Sequence, residues 1–504
     1  MIKNKNIGLI TGLLLFTVIL LLPTPESLPI AAKHVLAVAA LMATWWVMEA
    51  IPIPATALLP IVLFPTLGVM SGAEVTRPYA HHLIYLFLGG FLIAVTIEKW
   101  NLHRRIALYT INLIGVTPKR IILGFMIASA ALSMWISNTA ATMMMVTIGL
   151  AVLKQVVAEI KADPELDIDT RPEHFHFGIA LMLGIAYAAT IGGVATLIGT
   201  PPNAILAGVV ESHFGQSISF LDWMMFAFPL SVTMLIITWY YLTHFAFPGE
   251  IDYLPGGKET VEREIAELGK MSRQEKIVLF VFGLVATLWI TRGFIKIDAF
   301  KYVTDSTIAM AGALLLFIIP ANLKEKEFLL DWKTACKIPW DILILFGGGF
   351  ALAKGFTDSG LTQVIASQLG VLQGSNLLLI IAAVIAVVIF LTEITSNTAT
   401  ASMFLPIIAA MAVAMHIHPY TLMIAVALAA SFAFMLPVAT PPNAIAFSSH
   451  YFTIRQMART GIWLNLIGII LISLFVKFYL PIIWGIDINT TPDNMAILTT
   501  LSNK

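Results

Sequence analysis

Ser-Asn-Thr-Ala occurs twice inside otherwise apolar sequence, at Ser137 to Ala140 and at Ser396 to Ala399. Each copy is followed by Thr-Pro-Pro-Asn-Ala-Ile, at Thr200 to Ile205 and Thr440 to Ile445. A serine, an asparagine and a threonine in succession cannot all be satisfied within one lipid-buried helix, where each unmatched polar group costs several kcal/mol. They must therefore face a cavity, an ion or a break in the helix. The paired prolines remove two backbone donors and stop a continuous helix, freeing the carbonyls of Gly199 and Ala439 just before them. Those carbonyls and the hydroxyl and amide oxygens of the Ser-Asn-Thr tips make a hard oxygen set suited to Na+. Helix N-termini starting after the breaks, with the NH or OH groups of Asn138, Thr139, Asn397 and Thr398, could hold an anion. Neither motif contains Lys or Arg. A dianion entering such a site needs countercharge, which bound cations supply. A single Ser-Asn-Thr reads as a helix cap and a single Thr-Pro-Pro-Asn as a kink, but both motifs duplicated in one order read as a two-fold binding site.

The elements that carry these motifs are set by composition. The 504 residues are 59% hydrophobic and 12% charged, against about 25% charged in a soluble domain. Apolar runs close to the ~20 residues that cross a bilayer recur throughout, including Ile7 to Leu22, Phe226 to Phe247 and Leu464 to Ile483. The expectation is an all-α polytopic membrane protein with about 11 transmembrane helices. Formal net charge is zero, which points to no nucleic-acid partner. The single Cys336 cannot form an intrachain disulfide and leaves no cysteine pair for a metal. Lys3 and Lys5 before an apolar run also describe a secretory signal, but the run is helix-length and no small-x-small cleavage site closely follows Leu22, so the segment is expected to remain as a helix.

The first copy of a Gly-Gly-Phe element, Gly89 to Phe91, and Ser137 both find their counterparts 259 residues later, at Gly348 to Phe350 and Ser396. Thr200 maps to Thr440 at a shift of 240, so the first half carries extra residues between its motifs, in the polar stretch Lys154 to Phe175. The chain is therefore divided into an N-terminal helix (1–30), a first repeat (31–247), a charged cytoplasmic linker (248–274) with an amphipathic surface helix, and a second repeat (275–504). Re-entrant hairpins are expected around 121–153 and 376–412, with apolar arms too short to join a polar centre and still cross. Broken helices are expected around 175–212 and 419–448. With the N-terminus cytoplasmic and the Ser-Asn-Thr segments as hairpins, most of the 29 Lys and Arg fall on the inside. The second repeat is then inverted relative to the first, as in a secondary transporter.

On these paired signatures the chain resembles the divalent anion/sodium symporter family, along essentially its whole length. The resemblance implies a transporter of C4 dicarboxylates such as succinate, malate and fumarate, coupled to two or more Na+ ions. It implies one Na+ site from Ser133, Ser137, Asn138 and the Gly199 carbonyl, and another from Thr392, Ser396, Asn397 and the Ala439 carbonyl. Substrate carboxylates would meet Asn138, Thr139, Asn397, Thr398 and the turns Thr200-Pro201 and Thr440-Pro441. It also implies a homodimer in a bacterial cytoplasmic membrane, surrounded by lipid, whose transport domain moves like an elevator against a scaffold. The chain departs from internal symmetry at Ala439, opposite Gly199, and at Ala141, opposite Thr400.

Other residues carry weaker signals. Glu393, beside Thr392 in an apolar run, must be paired or solvated, and is assigned a structural hydrogen-bonding role ahead of proton coupling. Asp305, Asp341 and Lys354 are read as interfacial, and Trp45-Trp46 as an aromatic belt or scaffold packing. His81-His82 and His416-x-His418 have metal-pair spacing but no acidic or cysteine ligand near them in sequence, so they are read as interfacial loop residues. An obligate di- or tricarboxylate exchanger would use the same pocket as the symporter. A membrane hydrolase lacks HExxH or GxSxG support here, so no enzyme is expected; a channel or an anion sensor stays open as a reading from another class.

Overall fold

A computed structural model describes residues 2–115, 117–162, 168–249, 257–294, 302–322, 324, 326–369, 376–492 and 495. Parts of the expected N-terminal segment, of the linker (250–256) and of the polar stretch 163–167 lie outside the described residues.

Helices make up most of the described chain, and the strands among the described residues are a short antiparallel pair, Pro320–Asn322 with Glu327–Phe328. The main helices are α1 (Ile2–Leu21), α2 (Ile30–Met48), α3 (His82–Lys99), α4 (Leu102–Ile114), α5 (Pro118–Ser133), α6 (Asn138–Ala162), α7 (His176–Val194), α8 (Pro201–Phe214) and α9 (Phe220–Tyr241). They continue as α10 (Gly257–Leu268), α11 (Arg273–Thr291), α12 (Asp305–Ile318), α13 (Trp340–Asp358), α14 (Leu361–Leu369), α15 (Leu377–Thr392), α16 (Asn397–Ala414), α17 (Pro419–Ser431), α18 (Pro441–Phe447) and α19 (Ile454–Leu474). Among the described residues, nine helical stretches are long and apolar enough to cross a membrane by length and composition. Shorter apolar helices, α12, α15 and α17 among them, stand beside these.

The helix ends follow local chemistry. Prolines at the first turns of α5, α8, α17 and α18 fall where no intrahelical N–H is needed. Ser272 with Glu275, and Thr453 with Gln456, close reciprocal capping boxes at the starts of α11 and α19.

The second half repeats the helix order of the first: α3 to α8 run as a long helix, a short amphipathic one, a hairpin and a broken helix, and α13 to α18 do the same. The duplicated glycines make close helix contacts. A side chain at Gly89 would run into the backbone of Ala309 on α12, and one at Gly348 into that of Ala57, the small-residue packing that lets membrane helices approach.

Three sequence expectations are modified. The second arm of the first hairpin continues past Leu153 and Lys154 to Ala162, and at 25 residues it is long enough to cross, so arm length does not distinguish a hairpin from a crossing here; α5, at 16 residues, is the short arm. Asp305, read as a span-end residue, stands at the first residue of α12 and is also buried there: it accepts from Arg292 Nε (2.7 Å) and from the Phe220 backbone N–H (3.0 Å), locking α12 to α9. The linker helix α10 is more than a solvated connection, because it packs on α4 and α6 through buried Val261. Arg104 meets Glu264 at 2.5 Å there, and Arg105 meets Glu275 at 2.7 Å while donating to the Gly269 carbonyl. Trp45 and Trp46 are both packed inside the protein, Trp46 fully buried with its indole N–H on the Ile53 carbonyl (3.1 Å).

Candidate functional site

The first hairpin turns at Met134 to Ser137, between α5 and α6. The turn forms because Ser137 stops acting as a helical residue and caps the next helix, its Oγ accepting from the Ala140 N–H (3.2 Å). Across this turn Ser133 Oγ donates to Asn138 Oδ1. The second hairpin turns between α15 and α16 in the same way, with Ser396 Oγ accepting from the Ala399 N–H (3.5 Å) and Thr392 Oγ1 donating to Asn397 Oδ1 (2.7 Å). Thr392 Oγ1 also reaches the Ala430 carbonyl at 2.9 Å, tying this tip to the end of α17.

The broken helices meet these tips. Helix α7 stops at Val194 and α8 begins at Pro201, leaving Ala195 to Thr200 outside a helix; α17 stops at Ser431 and α18 begins at Pro441. Thr200 and Thr440 are the cap residues, both extended and both buried, and Thr440 Oγ1 accepts from the Asn443 N–H (3.2 Å). Each break exposes carbonyls that cannot be left bare. The motif asparagines take part of this load: Asn203 Nδ2 donates to the carbonyls of Val194 (3.1 Å) and Thr196 (2.7 Å), and Asn443 Nδ2 to those of Ala433 (3.0 Å) and Leu436 (3.0 Å). These two asparagines were not singled out as site residues, although they sit at the same place in both copies of a duplicated motif, which was the available signal.

In the first repeat the tip and the break touch. A side chain at Gly193 would fall 2.6 Å from Asn138 Oδ1 and 3.0 Å from the Gly199 carbonyl oxygen. The amide of Asn138 and that carbonyl therefore lie over the same glycine. Thr196 Oγ1 adds a bond to the Met134 carbonyl at 2.6 Å. Gly199 is itself obligatory, since a Cβ there would collide with the Gly193 carbonyl. The second repeat carries Ala433 and Ala439 at the two matching positions, and its break is longer, from Phe432 to Thr440. The asymmetry between Gly199 and Ala439 thus follows from how tightly each break folds back.

Glu393 performs the job that Met134 cannot at the matching position of the first tip. Its Oε1 accepts from the backbone N–H groups of Phe434 (2.8 Å) and Met435 (2.9 Å) and from Asn465 Nδ2 (2.7 Å), and its Oε2 from the Leu436 N–H (3.1 Å). A buried carboxylate with four donors holds the longer break in place, as the structural hydrogen-bonding role requires.

The two repeats also interlock. Helix α8, which starts at the first Thr-Pro-Pro, packs against α16, which starts at the second Ser-Asn-Thr; α18 packs against α6 in the reciprocal arrangement. Helix α7 is buried at every residue from Phe177 to Val194. Of the residues named from sequence, Ser133, Asn138 and Gly199 come together in the first repeat and Thr392 and Asn397 in the second, while Ser137 and Ser396 cap the arms. Thr139 and Thr398 follow in the first turns of α6 and α16, Thr398 buried, and Pro201 and Pro441 open α8 and α18.

This donor set fits an alkali cation. It is made of hydroxyl, amide and carbonyl oxygens, with no thiol or imidazole. Among the described residues, no donor meets Asn203 Oδ1 or Asn443 Oδ1, both buried, so each break holds an unmatched oxygen as well.

Comparison with known proteins agrees along nearly the whole chain. Residues 3–486 match the model of the sodium:sulfate symporter transmembrane region. A sodium-dependent dicarboxylate transporter, SdcS, of Staphylococcus saprophyticus is 49% identical over 489 residues, covering 96% of this chain and 93% of the relative. Its namesake in Staphylococcus aureus is 49% identical over 490 residues with the same coverage. In fold, the chain is similar to the crystal structure of the Alcanivorax borkumensis YdaH transporter (TM-score 0.56, 10% identity, 90% of this chain and 99% of that one). It is similar likewise to Neisseria gonorrhoeae MtrF (TM-score 0.56, 11% identity, 90% and 96%).

Proposed function

The chain belongs to the sodium:sulfate symporter family, and from that premise we propose that it carries C4 dicarboxylates such as succinate, malate and fumarate into a bacterial cell, driven by Na+. The observation that carries the reading is the pair of oxygen-lined helix breaks at the hairpin tips, whose motifs contain neither Lys nor Arg. A dianion is not stable in such surroundings without countercharge, and Na+ supplies it. The relatives named sodium-dependent dicarboxylate transporters support both the ion and the substrate class.

In this reading Ser133, Ser137, Asn138 and the Gly199 carbonyl hold one Na+, and Thr392, Ser396, Asn397 and the Ala439 carbonyl hold a second. The substrate carboxylates meet Asn138, Thr139, Asn397 and Thr398 and the turns Thr200-Pro201 and Thr440-Pro441. Sodium binding draws the oxygens inward and leaves the amide NH groups and the N-termini of the helices toward the anion. Obligatory order follows from charge: cations first, dianion second. The interlocked hairpins and broken helices move as one body past the scaffold helices, in a homodimer whose N-termini are cytoplasmic. The buried α7 supports a body of this kind, because its contacts are too extensive to be remade at each cycle. The excess of Lys and Arg on one side supports the orientation and the inverted relation of the repeats.

Labelled succinate uptake into empty proteoliposomes tests the proposal. An inward Na+ gradient should drive accumulation, and replacing Na+ by choline should abolish it. Flux that requires internal dicarboxylate, and is indifferent to Na+, would replace the symporter by an exchanger.

A further inference from the structure

Adjacent histidines at the start of α3 were left without an acidic partner by the sequence, because the partner is 129 residues away. The fold brings it: His82 Nε2 lies 2.9 Å from both carboxylate oxygens of Glu211, near the end of α8, and His81 Nε2 lies 3.7 Å from one of them. Among the described residues this is the one convergence of three metal-ligating side chains, with ligand atoms all within 4.8 Å of one another. The His81 and His82 rings stack, with centroids 4.8 Å apart. The cluster opens on a cavity of about 340 Å³ lined by Arg77, His81, Glu211, Ser212, Lys354 and Asp358.

We propose that His81, His82 and Glu211 form a site for a divalent transition ion of the Zn2+ class, which clamps the end of α8 to the start of α3. Two imidazoles and a carboxylate are a ligand set that such ions take, with a fourth position open to water or an anion. Tetrahedral coordination at about 2.0–2.2 Å sets ligand atoms roughly 3.4 Å apart. From separations of up to 4.8 Å the two imidazoles must draw together while the 2.9 Å contact between His82 and Glu211 opens slightly, shifts within reach of side-chain rotation in partly exposed residues. Ser306 Oγ, 3.3 Å from His82 Nδ1, is placed to accept the proton of that nitrogen when Nε2 binds metal. His81 Nδ1 would give up its 3.4 Å contact with the Leu83 N–H, the weakest bond in the cluster. Lys354 is occupied by Asp358 at 2.7 Å, and Arg77 beside it favours an anionic fourth ligand.

The placement gives the ion a consequence. Helix α8 belongs to the interlocked body and packs on α16 and α17, while α3 packs on α12. A metal bridging them ties that body to its surroundings. The clamp, though not the metal site, rests on the moving-body reading above.

Calorimetric titration of Zn2+ into the purified full-length protein, after chelator treatment, is the direct test. One site per chain with a micromolar or tighter dissociation constant is expected, weakened at least tenfold by His82→Ala and by Glu211→Gln. Glu211→Gln keeps an acceptor for His82 and so separates lost coordination from lost folding, checked by thermal unfolding without metal. Wild-type affinity in both variants overturns the site. In proteoliposomes Zn2+ should slow succinate uptake severalfold by the wild type and leave Glu211→Gln unaffected. Binding that the variants lose, with wild-type uptake untouched by Zn2+, overturns the clamp and counts against motion of α8 past α3, leaving the metal site in place.

Discussion

Thr392 Oγ1 donates to Asn397 Oδ1 at 2.7 Å across the tip of the second hairpin, and Ser133 makes the matching bond to Asn138 across the first. Each bond closes a tip on itself while holding two oxygens side by side, the arrangement a cation needs and a simple helix cap does not. Removing the amide should therefore damage ion binding more than folding. Asn138→Ala and Asn397→Ala are each expected to lower Na+-driven succinate uptake by more than tenfold. Their unfolding temperatures should stay close to that of the parent protein, because the tips keep their serine caps and one lost side-chain bond is worth about 1 kcal/mol. Wild-type uptake by both variants would remove the hairpin tips from the site.

The two breaks respond differently to an added or removed methyl group. A Cβ at residue 199 meets the backbone of Gly193, which cannot retreat without disturbing the amide of Asn138. Gly199→Ala should cost roughly 1–3 kcal/mol through overpacking and should raise the Na+ concentration for half-maximal uptake severalfold. Ala439→Gly removes a methyl group from a longer break and should cost no more than about 1 kcal/mol. The pair of variants is compared by thermal unfolding and by Na+ titration of uptake; equal effects at 199 and 439 would contradict the asymmetry.

The hairpins and broken helices were legible because polar residues and prolines have no other use inside apolar sequence. Thr-Pro-Pro announced the breaks before α8 and α18, which restart at Pro201 and Pro441, and Ser-Asn-Thr the polar turns that lead into α6 and α16. What the sequence hid were relations between distant segments. Nothing in the Thr200 to Ile205 motif says that α8 packs on α16 of the other repeat, and nothing near His82 announces Glu211. Gly193 carries no side chain to attract notice, yet it is the surface on which Asn138 and Gly199 meet. The length of α6 misled for a local reason: its last turns, from Lys154 to Ala162, are polar enough to read as loop but continue a helix that packs on α7 and α10.

Acid sensitivity outside the membrane has an identifiable contributor. Asp331, at the cap of the short helix Trp332–Ala335, accepts from Lys99 Nζ (2.8 Å) and from the Thr334 N–H (2.9 Å). The lysine, first, and the cap bonds hold its carboxyl well below the usual carboxylate range. A depressed folded value means that the stabilisation is fully present above the unfolded pKa, about 3.9, and is lost as pH falls through the folded value. The residue is partly exposed, so the contribution is at most about 1 kcal/mol after solvent screening. Asp331→Asn should lower the unfolding temperature slightly at pH 6–8, and the gap from the parent protein should narrow once pH falls below about 4. A gap that widens in acid would show that the pair has the opposite linkage.

Glu393 separates a structural carboxylate from a proton carrier. Four donors converge on its two oxygens, three of them backbone N–H groups from the break between α17 and α18. Glutamine can keep the three bonds to Oε1 but turns an NH2 group toward the Leu436 N–H, leaving two donors face to face. Glu393→Gln should then cost about 1–3 kcal/mol and Glu393→Ala more, since alanine leaves all four donors unmet in a buried site. Asn465→Ala should fall below both, because Glu393 keeps its backbone partners. Stability measured by thermal or denaturant unfolding should follow that order, and residual uptake by Glu393→Gln should keep the parent's dependence on external pH. If glutamine leaves stability unchanged and instead flattens the pH dependence of uptake, the carboxylate is carrying protons, and the longer break must be held by something else.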